Sequence, residues 1–224
     1  MIILGIETSC DETAVGVLEI KKTKAGFFIN PLSNVIASQI KLHEKYGGVV
    51  PMLASREHTK NIPIVAKKAL KQAFSSKKSI VSKIDLIAVT KGPGLILSLL
   101  IGVNFAKTLA WKWNKPIIGI NHLEGHLLSF LLSEKAENFQ FSFFNFQKIF
   151  PSICLLVSGG NTQLIHIRDI GKYKIIGETR DDAAGECFDK GARILGLKYP
   201  GGPSIAAQAA KHTTHNTQYI FLVL

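Results

Sequence analysis

Cysteine is scarce in this chain of 224 residues. Its 3 thiols, Cys10, Cys154 and Cys187, form no CxxC pair and leave an odd count. That excludes a disulfide framework and a thiolate zinc knuckle, and leaves buried or site-adjacent thiols as their reading. Long apolar runs are missing too. The run Ile2 to Ile6 lacks a basic flank and is shorter than a signal sequence needs, while Lys107, Lys112 and Lys115 bracket the longest apolar stretch. No membrane span is expected, and residence is expected to be cytoplasmic. Acidic residues are few, 16 against 27 Lys and Arg, for a net charge of +11. Such a balance favours a polyanionic partner. The lysines cluster at Lys21, Lys22 and Lys24, at Lys67, Lys68 and Lys71, and at Lys77 and Lys78, with no interleaved aromatic residues to stack bases. A solvated surface and a nucleic-acid footprint stand as equal readings.

The string INHLEGHLLSF places His122 and His126 at i and i+4, on one face of a helix, where two imidazoles can reach one metal ion. Two surface histidines are the plain alternative. A zincin-type protease is excluded, because its general base directly follows the first histidine, and Leu123 stands there.

At 46% hydrophobic, the chain can bury a substantial core. Strands are expected at Ile2 to Ile6 and Ala14 to Ile20, joined by Glu7 to Thr13 (ETSCDET) into a hairpin with an acidic, hydroxyl-rich tip. The pattern returns at Ser152 to Val157, Ser158 to Thr162 and Gln163 to Ile167, which suggests a duplicated architecture. Between them come a helix from Pro51 to Phe74, a strand at Asp85 to Thr90, a Gly92-Pro93-Gly94 turn, a helix from Leu95 to Lys112, a strand at Ile117 to Ile120 and a helix from Leu123 to Ser133. This alternation predicts an α/β sheet. The phenylalanine-rich stretch Phe139 to Phe150 reads as the connection between two halves, 1–135 and 136–224.

Ser158-Gly159-Gly160-Asn161-Thr162 joins two apolar strands, either as an ordinary hairpin turn or as a backbone cradle for an anion. In the segment Asp181 to Lys190, Asp181, Asp182, Glu186 and Asp189 crowd together. Acids are favoured in the first turn of a helix, but Asp189 and Lys190 lie too far in for that explanation.

Together GIETSCDETAVGV, YGGVVPMLASREH, KGPGLILSLLIGV, NHLEGHLL, LLVSGGNTQL and DDAAGECFDKGARILGLKYPGGP, in order from Ile2 to Pro203, resemble the tRNA N6-adenosine threonylcarbamoyltransferase family, once labelled glycoprotease or O-sialoglycoprotein endopeptidase. The resemblance implies an actin/Hsp70-like ATPase fold with duplicated RNase H-like halves. It implies transfer of a threonylcarbamoyl group from threonylcarbamoyl-adenylate to N6 of adenosine 37 in tRNAs reading ANN codons. A paralogous pseudo-enzyme subunit and an ATPase are the implied protein partners. His122 and His126 match the ligands of one divalent metal ion, iron or zinc. Leu156, Val157, Ser158, Gly159, Gly160, Asp189 and Gly202 match positions that hold the adenylate. Asp11 or Glu12 is expected to orient the attacking amine or take its proton.

Relatives carry a further Asp that completes the metal site and an Asn that contacts the adenylate, and neither stands before Leu224. The tail from His212 departs from the family pattern, so a fragment or frameshift with an incomplete second half is expected; His212 and His215 are not read as ligands. Two rivals remain: an O-carbamoyltransferase-like enzyme, which shares the histidine pair, and a non-catalytic partner subunit, which lacks it.

Overall fold

The computed structural model describes residues 1–23, 26–74, 80–132, 142–144 and 149–212. Most of the phenylalanine-rich connection, Lys24, Lys77 and Lys78, and the tail beyond His212 lie outside the described residues. The chain divides into two compact units, Met1–Gln39 with Val49–Asn145, and Ile40–Gly48 with Phe146–Leu224.

In the first unit, β1 (Ile2–Glu7) and β2 (Glu12–Thr23) form the expected antiparallel hairpin, with Ile6 opposite Val15. The chain then continues into β3 (Gly26–Ser38), antiparallel to β2. Helix α2 (Pro51–Ala73) opens on a proline in its first turn, where no backbone N–H is needed. It is followed by β4 (Leu86–Gly92), α4 (Ile96–Trp113), β5 (Ile117–Asn121) and α5 (His122–Leu128). The short helix α3 (Ile80–Lys83) completes the series, while α1 (Ile40–His43) falls in the second unit. The sheet order is β5-β4-β1-β2-β3-β6, β6 being Ser142–Phe144, and β4 pairs in parallel with both β1 and β5. A mixed sheet of this order, with helices on its face, is an RNase H-like half.

Strand alternation explains the core. On the pleated sheet successive side chains point to opposite faces, and the register aligns Val17, Leu4 and Ile87 in one row and Val15, Ile6 and Val89 in the next. All six are buried. Ile62, Val65, Ala66 and Ala69 of α2 and Ala106 and Ala110 of α4 close the same cluster. In α2 these follow helical spacing, which put the expected helix within a residue of its observed ends.

In the second unit, β7 (Ser152–Val157), β8 (Thr162–Asp169) and β9 (Lys172–Glu178) make an antiparallel meander, repeating the β1-β2-β3 arrangement. Helices α6 (Ala184–Ile194) and α7 (Gly201–His212) follow. The segment Ile40–Gly48 belongs here: Arg193 Nη2 donates to the Gly47 carbonyl at 3.4 Å, and Lys198 pairs with Glu44 at 3.9 Å. Nothing in its sequence distinguishes that excursion from an ordinary loop. Among the described residues no helix is long and apolar enough to cross a membrane.

Candidate functional site

The parallel strands β1, β4 and β5 end side by side, and ligands of open α/β sheets bind outside such carboxyl ends. Each strand delivers a polar residue there: Glu7 ends β1, Thr90 lies near the end of β4, and His122 follows β5 directly. Asn121 caps α5, its side chain accepting from the N–H groups of Leu123 at 2.9 Å and Glu124 at 3.3 Å. The cap fixes where the helix begins, and so where both histidines point.

Glu7 is the hub. Its Oε1 accepts from the Ser9 backbone N–H, and its Oε2 accepts from the Thr90 hydroxyl. The same Oε2 lies 3.3 Å from Nδ1 of His122. Burial alone would raise the Glu7 pKa, but the hydrogen bonds from His122, Ser9 and Thr90 outweigh it and hold the group at about 2. An ionised carboxylate only accepts, so Nδ1 of His122 donates to it. Nε2 of His126 stands 3.2 Å from Nε2 of His122, with the rings nearly perpendicular. Burial, then the neighbouring His122, lowers the His126 pKa, with Glu7 pulling weakly the other way. The two imidazoles meet Nε2 to Nε2. Tetrahedral bonds of about 2.0–2.1 Å would set two such nitrogens about 3.3 Å apart, so the pair fits a shared metal ion. A carboxylate on the far nitrogen is the usual support of a ligating histidine. Among the described residues no third His, Cys, Asp or Glu joins them in a metal-binding group.

The β1-β2 loop beside this cluster is held residue by residue. Thr8 Oγ1 donates to the Ser98 carbonyl at 2.9 Å, and the Leu95 N–H donates to the Ser9 carbonyl at 2.8 Å. The Gly92-Pro93-Gly94 turn thus clamps this loop, its following amide engaged by Ser9. Helix α4 approaches so closely that a Cβ on Gly102 would lie 2.3 Å from Thr8 Oγ1. Thr8 is buried, and turning it away would break its bond to Ser98. Alanine gains about 0.8–1 kcal/mol of helix propensity, but overpacking costs about 1–3 kcal/mol. Gly102→Ala should therefore be net destabilising, lowering the melting temperature by about 2–4 °C per kcal/mol lost; an unchanged or higher value in a thermal scan would contradict this.

Of the expected proton acceptors, Asp11 sits in the loop and hydrogen-bonds the Cys10 thiol, while Glu12 opens β2 and is exposed. Desolvation, then the Asp11 carboxylate, pushes the Cys10 thiol up to about 12, although the residue is exposed and water tempers the first cause. The thiolate is the nucleophile. At pH 8, Cys10 should alkylate at least about 100-fold more slowly than a free thiol of pKa about 8.5, as site-resolved mass spectrometry with iodoacetamide would show.

In the second unit, Ser158 to Asn161 turns β7 into β8. The Ser158 N–H donates to the Asn161 carbonyl at 2.8 Å, and the Asn161 N–H donates to Ser158 Oγ at 3.0 Å. Neither Gly159 nor Gly160 has a positive φ, and a Cβ at either would meet open space. Neither backbone angle nor internal packing therefore requires glycine at these two positions. The start of α6 abuts the loop. The Gly185 N–H donates to the Ser158 carbonyl at 3.2 Å and the Ala184 N–H to Thr162 Oγ1 at 2.8 Å. Leu156 is buried in the sheet and Val157 pairs with Thr162, so Leu156 can offer a ligand only its backbone. Asp189 Oδ1 accepts from the Gly201 N–H at 2.7 Å, tying α6 to the start of α7, where Gly202 follows. Lys190 reaches back to Asp182 at 2.6 Å and Glu186 at 3.0 Å, which accounts for two of the clustered acids as an exposed ion-pair network.

Thr90 figured in the reading of the sequence only as the end of a strand, and Glu7 and Ser9 only as members of an acidic, hydroxyl-rich loop. The available signal was positional: polar residues where successive parallel strands stop.

The family described as tRNA N6-adenosine threonylcarbamoyltransferase matches residues 30–223. The chain belongs to this family. A tRNA N6-adenosine threonylcarbamoyltransferase of Thermodesulfovibrio yellowstonii is 50% identical over 93% of the chain and 56% of its own length. One from Thermosipho melanesiensis is 53% identical over 92% of the chain and 56% of its own length. The chain thus spans about half the length of the curated relatives it matches. Among solved structures, YeaZ from Pseudomonas aeruginosa is similar at 15% identity and a TM-score of 0.45, over 80% of this chain and 66% of that one.

Proposed function

We propose that the chain transfers a threonylcarbamoyl group from threonylcarbamoyl-adenylate to N6 of adenosine 37 in tRNAs reading ANN codons. The observation that carries this reading is the paired Nε2 atoms of His122 and His126, held by Glu7 at the carboxyl ends of three parallel strands. His122 and His126 would hold one iron or zinc ion, which as a Lewis acid polarises the carbamoyl carbonyl. Glu7 keeps the His122 proton on Nδ1, so that Nε2 stays a donor of its lone pair. Gly159 and Gly160 leave the turn open to an approaching phosphate, and their amides suit the anion of the departing AMP. Ser158, Leu156 and Val157 supply backbone to that turn, with Asp189 and Gly202 beside the adenylate. In the reaction the N6–carbon bond forms and the carbon–oxygen bond to the phosphate breaks. Asp11 or Glu12 takes the proton from the amine. A base in an anticodon loop can leave its stack at modest cost, and the net charge of +11 suits the tRNA backbone.

A paralogous pseudo-enzyme subunit and an ATPase are the proposed protein partners, and the cytoplasm the proposed compartment. The intact histidine pair argues against the non-catalytic reading, and nothing favours an O-carbamoyltransferase. Incubation with threonylcarbamoyl-adenylate and unmodified tRNA, alone and with the partner proteins, should yield threonylcarbamoyladenosine. Turnover of carbamoyl phosphate without tRNA would overturn the proposal.

A further inference from the structure

The β1-β2 loop has a third anchor that the proposed chemistry does not use. His58, on the inner face of α2, is fully buried, and its Nε2 lies 2.9 Å from the Cys10 carbonyl. A carbonyl can only accept, so Nε2 carries a proton and donates it. Nδ1 of the same ring lies 2.8 Å from Thr13 Oγ1 and 3.4 Å from Gln39 Nε2. An amide nitrogen only donates, so Nδ1 accepts and the ring is neutral, with one tautomer satisfying all three neighbours. Gln39 extends the network: its backbone N–H donates to the Asp11 carbonyl at 3.0 Å, and its side chain donates to the Ala54 carbonyl at 3.4 Å.

Thr8 and Ser9 are thus held by α4, Cys10 by α2, and Asp11 by the end of β3. The tethers converge on a loop whose Ser9 hydroxyl lies 3.2 Å from His122 Nδ1 and whose Ser9 N–H donates to Glu7. We propose that His58 is a positioning residue: through the Cys10 carbonyl and Thr13 it fixes the β1-β2 loop, and through Ser9 it fixes the orientation of His122. A buried residue placed only to fill space would be apolar, whereas this ring has both nitrogens matched to backbone and side-chain partners on the two flanks of the loop. Its bearing on catalysis rests on the transfer reading above; its bearing on loop order does not.

The test compares His58→Leu, which removes both bonds, with His58→Gln, whose amide can still donate towards Cys10. In the whole chain, amide hydrogen exchange at Ser9 and Asp11 should rise at least about 10-fold in His58→Leu. Exchange in β4 should stay unchanged, and His58→Gln should recover part of the protection. Where transfer is measurable, kcat should fall with little change in KM for tRNA. Unchanged loop exchange in His58→Leu would overturn the proposal, as would exchange that rises equally in β4, which marks general destabilisation. A loosened loop with full kcat would also overturn it. Absence of transfer in the unaltered protein would sink the functional reading instead, and the exchange comparison would still decide the role of His58.

Discussion

His122→Ala is expected to lower threonylcarbamoyl transfer by at least about 100-fold, exceeding the 10–100-fold usual for loss of a supporting partner outside the ligand shell. Glu7→Gln should fall within that supporting range. The Glu7 carboxylate accepts from the Ser9 N–H, the Thr90 hydroxyl and, on geometry, the His122 Nδ1–H. A carboxamide offers one oxygen in place of two and turns an N–H₂ towards at least one donor, which releases the ring and allows either tautomer. Both variants should also bind iron or zinc more weakly in a chelator competition, a readout independent of turnover. Full transfer by His122→Ala would remove the pair from the mechanism. Equal metal affinity in Glu7→Gln and the unaltered chain would show that the carboxylate does not orient the ring.

A second large effect is expected at Gly185. A Cβ there would lie 2.7 Å from the Ser158 carbonyl oxygen and 2.8 Å from the Gly159 Cα. Both atoms belong to backbone, so no rotamer change relieves the contact; either α6 backs away or the turn moves. Overpacking of this kind costs about 1–3 kcal/mol, and helix propensity returns at most about 1. Gly185→Ala should lower the melting temperature by about 2–4 °C for each kcal/mol lost. Because the displaced atoms are those of the turn proposed to face the phosphate, AMP affinity should also fall by about 10-fold or more, equivalent to about 1.4 kcal/mol. A calorimetric titration with AMP that matches the unaltered protein, alongside an unchanged melting temperature, would mean that the loop yields freely.

Much of the architecture could be read from the residues because local pattern and tertiary demand coincide. Alternation in β1 and β2 and helical spacing in α2 each answer to one buried face, so their extents were legible to within a few residues. Helix α5 was less so: expected to run to Ser133, it gives way after Leu128 to a 3-10 turn over Ser129–Leu132. Periodicity does not distinguish those two helical forms over a single turn. In the site, the histidine pair was visible because both members lie on one short helix. The carboxylate that orients it was not, because Glu7 and His122 are 115 positions apart and only the parallel pairing of β1, β4 and β5 brings them together. The loop anchors share that limitation: nothing local to His58 announces a bond to Cys10 across 48 positions.

That same separation has a consequence in time. The β1-β2 hairpin needs only local closure and can form in microseconds, whereas Glu7 must wait for a residue made 115 positions later. At a synthesis rate of about 5–20 residues per second, the carboxylate exists for about 6–23 s before its histidine does. During ribosomal synthesis the strand that carries Glu7 is therefore an early product, and the cluster built on it is among the last parts of the first unit to be assembled.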